Sequence, residues 1–206
     1  IAAGCDWRPD KTSILPVHGA HSGIMAIVGA VTSPGDRIAC DALTYATLPR
    51  SAQMIGRRIA SVAMDDVGNL PEAFEMVCAQ QHPKLLFRMP ALQNPTATTL
   101  PPDRRKELIR IARAYNVLII EDNLYGSVCP DPHPPIAALA PDITFHIGGL
   151  SKSVSAGLRQ AWVACPSIYL PQVLDPPPFL FPPPRVLPPP FSSLPLHAGA
   201  AESIRD

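Results

Sequence analysis

Between residues 14 and 166 the chain alternates short β-rich apolar runs with stretches of helical periodicity, and that alternation leaves few folds open to it. Seven runs read as strands, at 14–17, 37–40, 58–62, 84–88, 117–120, 143–147 and 161–164. Helical patterns fall between them at 22–31, 48–55, 71–80 and 102–115. Strands that alternate with helices build an α/β domain around a mostly parallel sheet. The run Val117-Leu118-Ile119-Ile120 has no polar alternation, so it reads as a strand covered on both faces. The pattern at 102–115 places Asp103 in its first turn and Leu108, Ile109, Ile111 and Ala112 along one apolar stripe.

Beyond residue 166 the composition changes. Pro171, Pro195 and three Pro-Pro-Pro triplets, at 176–178, 182–184 and 188–190, exclude helix or inner strand there and favour polyproline II or a linker. The expected division is therefore a domain over 1–166 and an irregular proline-rich tail over 167–206. Charged residues make up 17% of the 206, below the roughly 25% usual for soluble domains. Such a surface is one that other protein covers, as in a fragment or an oligomer subunit. The formal net charge is +0 and no Lys/Arg cluster stands out, which argues against nucleic acid contact by this segment. The five cysteines are scattered without a Cys-x-x-Cys pair, so neither a disulfide framework nor a metal site is expected, and a reducing cytoplasm fits. No basic flank precedes an apolar run at the start and no uncharged apolar stretch approaches 18 residues, so secretion and membrane insertion are not expected. The missing initiator methionine points to an internal fragment.

Four short segments carry the chemistry: Gln93-Asn94-Pro95-Thr96, Glu121-Asp122-Asn123-Leu124-Tyr125, Ser151-Lys152 and Gly157-Leu158-Arg159. Asp122 follows the aliphatic run and so stands at the carboxyl end of a buried strand, where open α/β sheets place ligands. Lys152 follows a strand and the pair Gly148-Gly149, which lets backbone approach a ligand closely. Gly19-Ala20-His21 lies between a strand and a helix start, where free backbone N–H groups favour a phosphate. Taken singly, each residue has an ordinary explanation: a capping Asp, a core Tyr125 or Tyr45, a turn at Asn94-Pro95, a solvated Lys152, a surface ion pair at Arg159. Taken together they look like a pyridoxal phosphate site, which needs an amine, a carboxylate for the pyridine nitrogen, hydrogen-bonding groups for the phenolate oxygen and a cation for the phosphate.

With these motifs the chain resembles the large domain of fold-type I pyridoxal phosphate-dependent aminotransferases of class I/II, over about residues 14–166. The seven-residue spacing from Lys152 to Arg159, Gln-Asn-Pro-Thr and Asp103-Arg104-Arg105 look closest to MocR-type regulators and 2-aminoadipate-like aminotransferases. The resemblance implies a three-layer α/β fold with helices on both faces of a seven-stranded sheet whose last strand is antiparallel. It implies Lys152 as the Schiff-base and proton-shuttling residue, Asp122 on the pyridine nitrogen, and Asn94 and Tyr125 on the phenolate oxygen. Ser151 and Arg159 are implied at the phosphate, with Gly19, Ala20 and His21 at its binding turn and Tyr45 stacked on the ring. The implied activity is amino-group transfer between an amino acid and a 2-oxo acid, by a cytoplasmic homodimer when full length.

The chain departs from the family pattern at Gly149, where Ser is usual, at Ala97, where Gly is usual, and at Gln160-Ala161 after Arg159. The family's small domain and N-terminal arm have no counterpart in it. Two alternatives therefore stand beside the enzyme: a domain that senses pyridoxal phosphate and an amino acid in a MocR-type regulator without turnover, and an inactive truncated copy.

Overall fold

A computed structural model describes residues 7–175. After a short 3-10 turn at Lys11–Ser13, the strands and helices run β1 (Ile14–His18), α1 (Ala20–Val31), β2 (Arg37–Asp41), α2 (Thr47–Met54), β3 (Arg58–Val62), α3 (Pro71–Gln81) and β4 (Leu85–Arg88). They continue α4 (Pro102–Ala114), β5 (Leu118–Asp122), α5 (Ile136–Leu139), β6 (Thr144–Gly149), β7 (Gln160–Ala164) and α6 (Leu170–Leu174). All seven expected strands form one sheet in the order β1-β7-β6-β5-β4-β2-β3. β7 pairs antiparallel with β1 and β6, and every other pair is parallel. The carboxyl ends of β1, β2, β4, β5 and β6 and the start of β7 thus share one edge, and every candidate motif lies at that edge.

Two apolar cores, one on each face, make the molecule three-layered. One gathers α1, α2 and α6 with Ile120, Phe145, Ile147 and Val163. The other gathers α3, α4 and α5 with Ala60, Val62, Leu86 and Ile119. Neighbouring residues of β5 face opposite ways, as the pleat requires, so a strand covered on both sides must be aliphatic at consecutive positions.

Local sequence sets the helix ends. Pro71 and Pro102 sit in the first turns of α3 and α4, where a missing N–H costs nothing. α1 is buried over Gly23, Ile24, Met25, Ala26, Ile27, Val28 and Gly29, so it has no polar stripe. Its C-cap residue Thr32 is held by the buried Arg57, which donates to the Thr32 Oγ1 and carbonyl oxygen at 3.0 and 2.6 Å and to the Ile55 carbonyl at 2.6 Å. A cation there also suits the negative end of the helix dipole.

Some structure was not expected. α5 has four residues, too few to display a helical period. A 3-10 turn at Ser167–Tyr169 and α6 occupy the start of the stretch read as irregular, because Val173 gains full burial against the core around α1. The proline triplets lie outside the described residues.

Gly148 is required by packing. It pairs with Trp162 across β6 and β7, and a Cβ there would lie 2.5 Å from the indole. Gly148→Ala should therefore destabilise the chain by about 1–3 kcal/mol through overpacking, read as a lower urea midpoint with an unchanged m-value.

Candidate functional site

At the shared strand edge a cavity of about 450 Å³ opens, within the size range of small-ligand pockets. All ten residues singled out from the sequence line it: Gly19, Ala20, His21, Tyr45, Asn94, Asp122, Tyr125, Ser151, Lys152 and Arg159. The topology brings them together. β7 runs back against β6, so Arg159, just before it, returns to the edge that Lys152 has just left, and the Leu150 N–H donates to the Gln160 carbonyl at 3.0 Å to close the connection.

Asp122 lies on the α1 face of β5 and is 4% exposed. Burial pushes its carboxyl up to about 6; the Leu124 N–H at 3.3 Å, His146 and Lys152 offset this in part, while Glu121 adds repulsion. No salt bridge reaches the Asp122 carboxylate among the described residues. A carboxylate held this way favours a hydrogen-bonding cation or a proton. Lys152 is exposed, with Nζ 5.3 Å from the centroid of the Tyr125 ring, a cation–π placement that keeps the amine over the cavity.

At the other end Gly19 adopts φ 83°, a left-handed conformation open to glycine, and provides no side chain to cap α1. The first N–H groups of this 12-residue helix therefore face the cavity at the positive end of its dipole. Arg159 lines the same cavity, exposed and with a left-handed φ of 47°. Burial lowers the His21 imidazole from its usual range. Its Nε2 lies 3.1 Å from Ser51 Oγ of α2, its Nδ1 is buried without a partner among the described residues, and its ring meets Tyr45 edge-on at 5.9 Å.

Sequence reasoning missed the supports behind these groups. Arg105, 1% exposed, donates to the carbonyls of Leu100, Pro134 and Pro90 at 2.8, 2.9 and 3.0 Å and so clamps the base of the Asn94 loop. Arg88 and Asp41, at the ends of β4 and β2, form a fully buried ion pair. Glu121 accepts from the Ile136 and Ala137 N–H groups and sits 2.9 Å from His146 Nδ1. A charged residue closing a strand, or an arginine inside an amphipathic stripe, reads in sequence as solvated, and no periodicity marks it otherwise. The two departures from the family pattern also gain a geometry. A Cβ at Gly149 would meet Leu124 Cδ2 at 2.7 Å and the Gln160 carbonyl at 3.0 Å, so a serine there requires Leu124 to shift, and Ala97 holds a left-handed φ of 59°.

A profile of the family described as aminotransferase class I and II matches residues 8–188. The chain is 34% identical over 156 residues to the uncharacterized HTH-type transcriptional regulator YdeF of Bacillus subtilis, covering 76% of this chain and 34% of that protein. It is 29% identical to the mitochondrial kynurenine/alpha-aminoadipate aminotransferase of Rattus norvegicus, covering 76% of this chain and 40% of the relative. The multiple substrate aminotransferase of Thermococcus profundus superposes with a TM-score of 0.72 at 27% identity, covering 78% of this chain and 42% of that one. The chain thus spans about a third to two fifths of the length of the curated relatives it matches, between 34% and 40% of them.

Two consequences can be measured on the protein alone. Asp122 binds its proton more tightly folded than unfolded, so from its ordinary 3.8 up to about 6 the folded chain carries the extra proton and stability falls as pH rises through that window. That difference is worth on the order of 3 kcal/mol. Asp122→Asn should therefore melt higher than the parent at pH 7, with the gap closing toward pH 4. Separately, Ala97→Gly should gain about 0.5–1 kcal/mol in chemical denaturation, since relief of the left-handed strain outweighs the added flexibility of the unfolded chain.

Proposed function

Because the chain belongs to the class I and II aminotransferases, we propose that its cavity binds pyridoxal 5'-phosphate and that the whole protein transfers an amino group between an amino acid and a 2-oxo acid. The observation that carries this reading is the buried Asp122 carboxylate, left without a cation at the floor of a cavity with a lysine amine at one side and a helix N-terminus and an arginine at another. That donor set fits the cofactor: a protonated pyridine nitrogen is the cation Asp122 lacks, and a phosphate is the anion α1 attracts.

When bound, pyridoxal phosphate supplies an aldehyde that condenses with amines and a ring that accepts electrons from the substrate carbon. Asp122 holds a proton at the ring nitrogen, which its burial favours. The Asn94 amide and the Tyr125 hydroxyl donate to the ring oxygen. The first N–H groups of α1 at Ala20 and His21, with Ser151 and Arg159, hold the phosphate, and Gly19 leaves that approach open. Tyr45, fixed by the Leu48 N–H on its carbonyl at 3.0 Å, packs beside the ring. Lys152 Nζ would be the amine that holds the cofactor, and as a base at the cavity it would carry a proton to and from the substrate carbon. Its exposure leaves room for substrate to enter, and in the whole protein further chain and a second copy cover it, as a homodimer. Cytoplasmic residence agrees with the four free cysteines of the described residues. No helix among those residues is long and apolar enough to cross a membrane.

A second reading is favoured by the 34% identity to an HTH-type regulator: a domain that binds the cofactor and an amino acid without turnover. The whole protein then binds DNA and releases no 2-oxo acid when given amino acids.

Addition of pyridoxal phosphate to the purified chain should produce a visible absorbance band, and borohydride reduction followed by peptide mapping should place the cofactor on Lys152. Lys152→Ala should lose the band. A band that survives this substitution rules out the assignment of Lys152.

A further inference from the structure

Gln93 stands beside Asn94 in the sequence but points away from the cavity, and it is 1% exposed. Its amide uses every hydrogen-bonding capacity it has. Oε1 accepts from the Thr96 N–H at 2.9 Å and from Thr96 Oγ1 at 2.8 Å. Nε2 donates to Asp41 Oδ2 at 3.2 Å and to the Leu43 carbonyl. The orientation is fixed by its surroundings, since the backbone N–H at Oε1 can only donate and the carbonyl and carboxylate at Nε2 can only accept.

These partners belong to two parts of the chain about fifty residues apart. Asp41 ends β2 and is held by the buried Arg88 at the end of β4, while Leu43 lies in the loop that leaves β2. Thr96 lies on the far side of the turn that presents Asn94, and that turn is closed by the Gln93 N–H on the Thr98 carbonyl at 2.8 Å. Asn94 itself is exposed, and no side-chain hydrogen bond holds its amide among the described residues.

We infer that Gln93 is the positioning residue for Asn94: its amide ties the Asn94 turn to the buried Asp41–Arg88 pair and so sets where the Asn94 side chain meets the ligand. The inference rests on the reading of the cavity as a pyridoxal phosphate site. Met at this position keeps the length and volume and removes all four hydrogen bonds. Glu keeps the acceptors for Thr96 but turns an oxygen toward the Asp41 carboxylate and the Leu43 carbonyl, where only a donor fits.

The test is a titration of the whole chain with pyridoxal phosphate, followed by absorbance, in the parent, Gln93→Met and Gln93→Glu. Both variants should still attach the cofactor to Lys152 on borohydride reduction, yet bind it about tenfold more weakly, the loss expected for one misplaced charge-assisted hydrogen bond. The discriminating readout is the Asn94→Ala background, where Gln93→Met should cost less than twofold because the group it positions is gone. An undiminished tenfold loss in that background, or affinity unchanged in the single variants, overturns the positioning role. If Gln93→Met fails to melt cooperatively, the exposed Thr96 decides: Thr96→Val should weaken binding and Thr96→Ser restore it, and equal affinities overturn the link. An absence of any band in the parent removes the cofactor reading, and this inference with it, whereas a parent band with indifferent variants removes this inference alone.

Discussion

A strand that ends in two adjacent carboxylates must send them to opposite faces of the sheet, and the molecule is arranged around where β5 sends Glu121 and Asp122. Both are desolvated, because β5 lies in the middle of the sheet with helices on each side. On one face Glu121 is satisfied within the chain by two N–H groups of α5 and by His146. On the other, Asp122 receives one long backbone hydrogen bond and no cation. An unpaired buried carboxylate carries a free-energy penalty that a fold can relieve by pairing, and here the space beside it is the cavity. The asymmetry between two neighbouring residues marks one face as structural and the other as a place for a ligand.

The rest of the site hangs on buried polar groups outside the cavity. Arg105 gathers three loop carbonyls, Arg57 finishes α1, and the Arg88–Asp41 pair stands under Gln93. In each case a guanidinium shielded from water joins segments distant in sequence, which a planar fork of five donors does well. The loops at the strand edge thus contain little regular structure of their own yet are fastened at their bases. A site assembled from six strand ends needs such fastening, because no strand end carries more than three of its ten residues.

Two of the family departures differ in their surroundings. The position of Gly149 is crowded by Leu124, itself one residue from Asn123 and two from Asp122, and by the Gln160 carbonyl, so a larger side chain there requires Leu124 to move. At Ala97 the backbone itself is the constraint: its methyl sits in a left-handed conformation where glycine is at ease. The first is a crowded contact and the second is backbone strain, although both read in sequence as single-letter changes.

The seven strands were legible because each is a run of consecutive apolar or β-branched residues bounded by turn formers, and the four long helices because their apolar stripes recur over several turns. The candidate site residues could be gathered from their places after strands, since the carboxyl ends of parallel strands converge whatever the loops do. Short α5 and α6 were not legible, being stabilised by what they pack against. Gln93, Arg105 and Arg88 were not legible either. Hydrophobic pattern and strand-end position are one-dimensional properties that the chain writes into its sequence. The burial of a charge, the saturation of an amide and the choice of which carboxylate goes unpaired depend on groups fifty residues away meeting in space, and only the tertiary fold brings them within hydrogen-bonding reach.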